Sequence, residues 1–351
     1  MRVEGKLGRQ ANVLFGWLLL MCLSLTACDF GKESREVTPL IGSVMGTQYL
    51  VKIIDLPEDL ALVRLDEDVN RLLRDVDVMM STYREDSELS RFNAAKTTEW
   101  VPVSDEMVDV VEHALQVSEL TDGAFDITVG PLVNLWGFGP DQRPDRVPTD
   151  EQIAAAKSRL GYQHVHTRRQ PPALKKDRGN IYLDLSALAK GYAVDRVADY
   201  LGQLGITDYM VEVGGELRLK GRNENGTPWR IAVERPTPGT RDVYSVMQLE
   251  SMGVATSGDY RNYFEEEGQR YSHTIDPRSG KPIDHALASV TVIADSSMYA
   301  DAMATALMVV GPDDGEKLAR QHGIAAYFII KSSDGFDANA TRPFEQFLVS
   351  K

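Results

Sequence analysis

Apolar residues recur every three or four positions at Leu62, Leu65, Val69, Leu72, Leu73, Val76 and Met79. That period predicts a long amphipathic helix starting near Asp59, with one stripe turned toward a core. Met107–Leu120 repeats the pattern. Thr149 with Gln152 forms a capping box behind Pro148 and opens a helix toward Leu160. A further helix is expected over Ala189–Leu201. The apolar run Ile181–Leu185 before it predicts a strand, as does Gly46–Ile54 nearer the start.

From Tyr209 the period shortens. Met210–Val213, Glu216–Lys220, Trp229–Glu234, Val243–Glu250 and Ser289–Ala294 are expected as strands, separated by turn formers such as Asn223-Glu224-Asn225-Gly226. A helix over Tyr299–Val310, another near Asp314–His322 and a strand over Ala325–Ile330 complete the order. Mixed elements with many hairpins predict an α+β fold. No internal repeat, low-complexity tract or clear mid-chain linker is visible, and the length suits one large domain or two modest ones.

The preceding segment has its own logic. Arg2, Lys6 and Arg9 stand before an apolar run, Val13 to Leu25, that is short for a membrane span. This is signal-peptide architecture, assigned to 1–27. Its end, Leu25-Thr26-Ala27-Cys28, resembles the lipobox of bacterial lipoproteins, in which the Cys is lipidated. An ordinary signal with an incidental Cys is the alternative. Residues 28–42 then serve as lipidated Cys and tether, and Asp29 resembles a signal for retention at the inner membrane. Cleavage before Cys28 removes Cys22, which leaves no internal disulfide, no cysteine nucleophile and no thiolate metal site.

Hydrophobic residues make up 43% of the 351-residue chain and charged residues 26%, ordinary for a globular protein. The net charge of −14 argues against a nucleic-acid partner, which needs clustered Lys and Arg. Walker, HExxH, GxSxG and paired CxxC motifs are all absent. His164 and His166 alternate as on a strand and lack a neighbouring third ligand, which favours surface histidines over a metal site.

What remains is a set of polar residues in Gly-rich or apolar settings. Asp126 lies in Gly123-Ala124-Phe125-Asp126, expected at a loop–strand junction. Asp184 and Lys190 flank a strand-to-helix passage, where N–H groups suit an anion. Asp184 is equally readable as a helix cap and His273 as a turn residue, while a lysine at 190 is more often a solvated helix residue. Gly214-Gly215 reads as a bulge or hairpin. Asp301 and Thr305 share one face of an otherwise apolar helix, and a buried carboxylate there needs a compensating partner.

In order, several segments resemble the FAD:protein FMN transferases, the ApbE-type flavin transferases. They are Met45-Gly46-Thr47, Ser81-Thr82-Tyr83-Arg84 with Phe92-Asn93, Gly123–Leu132, Ala189–Asp195, Ala255–Gly258 with Tyr260–Tyr263, Ser272–Ile283 and Ala300–Val309. The match extends to about Phe347.

The resemblance implies a single T-fold-like α+β catalytic domain over 43–349 with a largely antiparallel sheet. It implies Mg²⁺-dependent cleavage of the FAD pyrophosphate, esterification of FMN to a threonine of an acceptor protein, and release of AMP. The implied acceptors are flavin-carrying subunits of Nqr- and Rnf-type redox complexes bearing an Asp-x-x-Ser/Thr-Gly/Ser-Ala-Thr motif.

By position it implies FAD contacts at Met45, Tyr83, Ala124, Phe125, Asp126, Asp184, Lys190 and Ile275. Magnesium falls to the Ala187 carbonyl, Asp301 and Thr305, and activation of the acceptor threonine to His273. Cys28 would anchor the protein at the periplasmic face of the inner membrane. Two departures stand out: Ser186-Ala187 replaces a frequent Gly-Gly, and Glu212–Glu216 replaces Asn-Ala-Gly-Gly-Asp. The competing functions are a Mg-dependent FAD pyrophosphatase and a non-catalytic flavin-binding lipoprotein.

Overall fold

Eight strands form the central sheet: β1 (Val37–Val44), β2 (Thr47–Ile54), β3 (Tyr209–Val213), β4 (Glu216–Lys220), β5 (Gly253–Gly258), β6 (Leu287–Ala294), β7 (Ala325–Ser332) and β8 (Gly335–Ala340). They lie side by side in chain order, each antiparallel to its neighbours. The sheet is therefore a meander, and the long insertions between its strands carry the remaining elements. The computed structural model describes residues 34–140, 147–237, 239, 242–260, 262–266 and 268–349. The signal segment, Cys22 and Cys28 lie outside the described residues.

Four of the helices are α1 (Leu62–Met80), α2 (Asp105–Leu120), α3 (Ser186–Gln203) and α4 (Ser297–Val310). The stripe on α1 buries Leu65, Val69, Leu73, Val76 and Met80, as its period requires. One sheet face packs with these helices, joining Val51 and Val211 to Leu73, Val194 and Met303. The other face is covered by the hairpin Trp229–Glu234/Val243–Leu249 and the short helix Arg342–Glu345, through Trp229, Met247 and Phe344. With cover on both sides, β6 is buried from Leu287 through Ile293. That explains why its residues are buried in an unbroken run, Ser289 and Thr291 included, rather than in alternation.

Several boundaries differ from the sequence reading. Ile181–Leu185 forms no strand. It passes through the core without a ladder, and at its centre the backbone of Leu183 is satisfied by a side chain. Leu183 N donates to Asn93 Oδ1 at 2.7 Å, and Asn93 Nδ2 donates back to the Leu183 carbonyl at 2.8 Å. Buried Lys176 adds bonds to the carbonyls of Phe92, Asn93 and Ile181.

The segment after Asp126 enters a short helix, Gly130–Leu135, and not a strand. Helix α3 starts at Ser186, three residues early, which puts Ala187 in its first turn. The helix opened by the Thr149 capping box is confirmed but ends at Lys157, and the last long helix begins at Pro312. The sheet begins at Val37, inside the segment expected as tether. Among the described residues no helix is long and apolar enough to cross a membrane.

Candidate active site

Helices α3 and α4 cross where side chains are smallest. A Cβ at Gly191 would lie 2.4 Å from the carbonyl oxygen of Ser297, and one at Gly253 would lie 2.5 Å from the Ser297 nitrogen. Glycine at both positions lets the start of α4 sit against α3 and β5 at backbone distance.

Asp195 of α3 locks that crossing. Its carboxylate accepts from Ser297 N at 2.9 Å, Met298 N at 2.8 Å and Ser296 Oγ at 2.9 Å, and it pairs with Arg218 at 3.3 Å. A carboxylate on free N–H groups at a helix start is favourable both as a cap and toward the dipole.

This packing brings Asp301 to the first turn of α3. Gly191 N donates to Asp301 Oδ2 at 3.1 Å. In an α-helix that N–H points at the carbonyl four residues earlier, which is that of Ala187. The Asp301 carboxylate and the Ala187 carbonyl thus flank one donor. Thr305 follows one turn later on α4, half-buried.

Asp301 is 5% exposed and has a second partner that the sequence left open. Lys190 Nζ lies 3.7 Å from Asp301 Oδ2 and 3.4 Å from Oε1 of Glu216, itself 4% exposed. Burial raises the Asp301 carboxyl above the usual range and pushes Glu216 to about 8, each against the lowering pull of Lys190. Burial opposes the ammonium as well, but the two carboxylates outweigh it and hold Lys190 above its ordinary value.

Fully ionised, the cluster carries two negative charges and one positive. Glu216 Oε2 and the hydroxyl of Ser297 have no protein partner. Among the described residues no three His, Cys, Asp or Glu side chains could hold a metal. Any cation here would rest on one carboxylate, a hydroxyl and a carbonyl. An all-oxygen set with residual negative charge fits a hard cation such as Mg²⁺, which keeps several ligand positions for water and phosphate.

Two tight turns lie side by side here, and one of them reaches Lys190. β1 and β2 are joined by Met45-Gly46, with φ of 51° and 72°, and β3 and β4 by Gly214-Gly215, with φ of 62° and 107°. Left-handed backbone at both residues is what a two-residue hairpin requires. The Gly-Gly pair is therefore a hairpin turn and the Met45 turn is its neighbour: a Cβ on Gly214 would lie 2.9 Å from Thr47 Cγ2 and 3.2 Å from Lys190 Cδ.

His273 follows the hairpin Tyr263–Glu266/Gln269–Ser272. Its Nδ1 lies 2.9 Å from the Asn262 carbonyl. Nδ1–H therefore donates, which leaves Nε2 with the free lone pair. Burial pushes its pKa down, the Asn262 bond opposes this, and the charge of Lys190 lowers it further. Its ring stands edge-on to Phe138 at 6.3 Å, and Phe138 packs on Phe264 at 5.4 Å.

Tyr83 is 69% exposed and its hydroxyl reaches the Phe138 carbonyl at 3.4 Å. Ile275 is buried with Leu132 and Trp136 in the cluster below.

The other sequence candidates hold loops in place. Asp184 N donates to the Ile127 carbonyl at 2.7 Å, and Asp184 Oδ1 accepts from Ser186 N at 2.9 Å, an Asx turn just ahead of α3, whose N-cap position is Leu185. Asp126 is buried and spends its carboxylate on Thr128 N and Thr128 Oγ1, both at 2.7 Å, and on Tyr162 N at 3.2 Å. Ala124 and Phe125 are buried at 1% and 3% exposure, so their side chains face inward. His164 and His166 lie apart from this centre and share Asp177, at 3.3 and 2.8 Å.

Sequence reading missed Asp195 and Glu216 as working parts. The available signal was weak: both are carboxylates next to apolar neighbours, at Val194 and Leu217.

The profile of the ApbE family matches residues 45–328. The chain belongs to the ApbE family. The FAD:protein FMN transferase of Vibrio cholerae is 47% identical to it over 332 residues, covering 95% of this chain and 98% of that protein. The FAD:protein FMN transferase of Haemophilus influenzae is 44% identical over 336 residues, covering 94% and 96%. Among solved structures, the flavin transferase ApbE from Vibrio cholerae has a TM-score of 0.83 at 47% identity, covering 90% of this chain and all of that one. The expected α+β domain with a largely antiparallel sheet is thus the ApbE architecture.

Proposed function

We propose that the protein is a Mg²⁺-dependent FAD:protein FMN transferase. The observation that carries the reading is the buried Asp301, set beside the Ala187 carbonyl at the start of α3, with Lys190 at 3.7 Å and His273 within the field of that lysine. This joins a cation site, a phosphate-binding helix start and a base.

In the reaction, the pyrophosphate of FAD lies against the start of α3 and Lys190, where the helix dipole and an ammonium favour anionic oxygens. Ala187, Asp301 and Thr305 would hold Mg²⁺, which supplies charge neutralisation at the pyrophosphate. Tyr83, open to solvent beside Phe138, offers a ring face to the flavin. His273 Nε2 takes the proton of the acceptor threonine hydroxyl. The threonine oxygen bonds to the phosphorus of the FMN half as the bond to the AMP oxygen breaks, and AMP leaves.

The acceptors are flavin-carrying subunits of Nqr- or Rnf-type complexes with the threonine motif given above. Cys28, outside the described residues, would tether the enzyme to the periplasmic face of the inner membrane through its lipid.

The test mixes protein, FAD, Mg²⁺ and an acceptor subunit, then looks for in-gel flavin fluorescence after denaturation. Fluorescence on the acceptor together with AMP is the expected result. AMP without labelled acceptor would make the protein a pyrophosphatase. Neither product would leave only a flavin-binding lipoprotein.

A further inference from the structure

We propose that Glu216 is the second seat of the Lys190 ammonium. In this view Glu216 is a positioning residue that keeps the charge in the site when a divalent cation takes Asp301. The inference rests on Asp301 being the metal ligand of the proposed transferase.

The geometry places one ammonium between two buried carboxylates, 3.4 Å from Glu216 and 3.7 Å from Asp301. A cation on Asp301 would stand within a few ångströms of Nζ, and like charges at that range in a buried site repel strongly. Lys190 then needs another acceptor. Asp195 is engaged by three donors at the start of α4 and by Arg218. His273 offers no negative charge. Glu216 has Oε1 already in reach and Oε2 with no partner.

The lysine stem is also guided toward Glu216. Gly214, in the turn that ends at Glu216, has left-handed backbone and is so close that a Cβ there would be 3.2 Å from Lys190 Cδ. The turn therefore confines the side chain to the corridor between the two carboxylates. When metal arrives the ammonium shifts along that corridor and stays beside the pyrophosphate, instead of leaving for solvent.

This predicts energetic coupling between Glu216 and Lys190 in metal affinity. Mg²⁺ would be titrated calorimetrically into the full chain without FAD, for the wild type, Glu216→Gln, Lys190→Met and the double variant. Removing Glu216 strands the ammonium at Asp301, so Glu216→Gln weakens Mg²⁺ about tenfold, the scale of an outer partner of a metal ligand. Lys190→Met removes the competitor and tightens Mg²⁺. In the Lys190→Met background the Glu216→Gln change shifts affinity by no more than about twofold. Glu216→Asp, which keeps the charge with a shorter reach, falls between wild type and Glu216→Gln.

An equal weakening by Glu216→Gln in both backgrounds would overturn the inference, because Glu216 would then act without Lys190. So would unchanged affinity in Glu216→Gln. If the wild type itself bound no Mg²⁺, the metal reading of Asp301 would fall first and this inference with it.

Discussion

The backbone N–H of Gly191 donates to the carboxylate of Asp301 at 3.1 Å, joining the second turn of α3 to the second turn of α4. The bond forms only because the helices approach at backbone distance, and that approach depends on residue 191 having no side chain.

Gly191→Ala should therefore separate the helices. The new Cβ would meet the Ser297 carbonyl at 2.4 Å, against backbone that cannot swing away. Overpacking of this kind costs about 1–3 kcal/mol. Urea unfolding should show that loss, and turnover should fall with it because Asp301 moves away from Ala187.

Asp301→Ala should abolish Mg²⁺-dependent turnover while FAD binding largely persists. Lys190 retains Glu216 at 3.4 Å, so the variant leaves no cation stranded without a partner. Flavin fluorescence titration and AMP release measure the two properties separately. Normal activity would remove Asp301 from the metal site.

The pH profile should identify His273. Burial holds its pKa below the ordinary value of 6.5, so the neutral imidazole predominates at and above that pH. The acid limb of kcat/KM should therefore lie below 6.5 and disappear in His273→Ala. Loss of a general base costs at least about a hundredfold in rate, and FAD affinity should change far less. The same shift has a sign for stability. Between the folded and unfolded pKa values the unfolded chain binds more protons, so the contribution of this histidine declines as pH drops below 6.5.

Asp195→Asn tests the lock at the start of α4. The substitution keeps the shape but weakens acceptance from Ser297 N, Met298 N and Ser296 Oγ. Bonds to a charged group are worth roughly 1.5–3 kcal/mol, and a loss of about that size is expected in chemical unfolding. The Mg²⁺ concentration for half-maximal activity should rise, since α4 presents Asp301. An unchanged midpoint for both would show that Asp195 braces nothing.

Much of this was legible before any coordinates. The periods of three to four and of two placed α1, α2 and most sheet strands, because each element must bury one face. The capping box at Thr149 and Gln152 was confirmed for the same local reason. Ile181–Leu185 was misjudged because an apolar extended run looks alike whether its backbone pairs with a strand or with the Asn93 side chain. β5 was not anticipated: Ala255-Thr256-Ser257-Gly258 has the composition of a loop, and burial between β4 and β6 makes it a strand.

The sequence by itself determined that a buried helix carries a carboxylate, and that something must compensate it. It determined that Asp301 and Thr305 share a face, because helical spacing is local. It did not determine the compensating groups. Lys190 and Gly191 lie over a hundred residues away in the chain, and Glu216 belongs to a third element. Only the crossing of α3 and α4 under the β3–β4 turn brings them together, since pair electrostatics depend on distance through space and on burial.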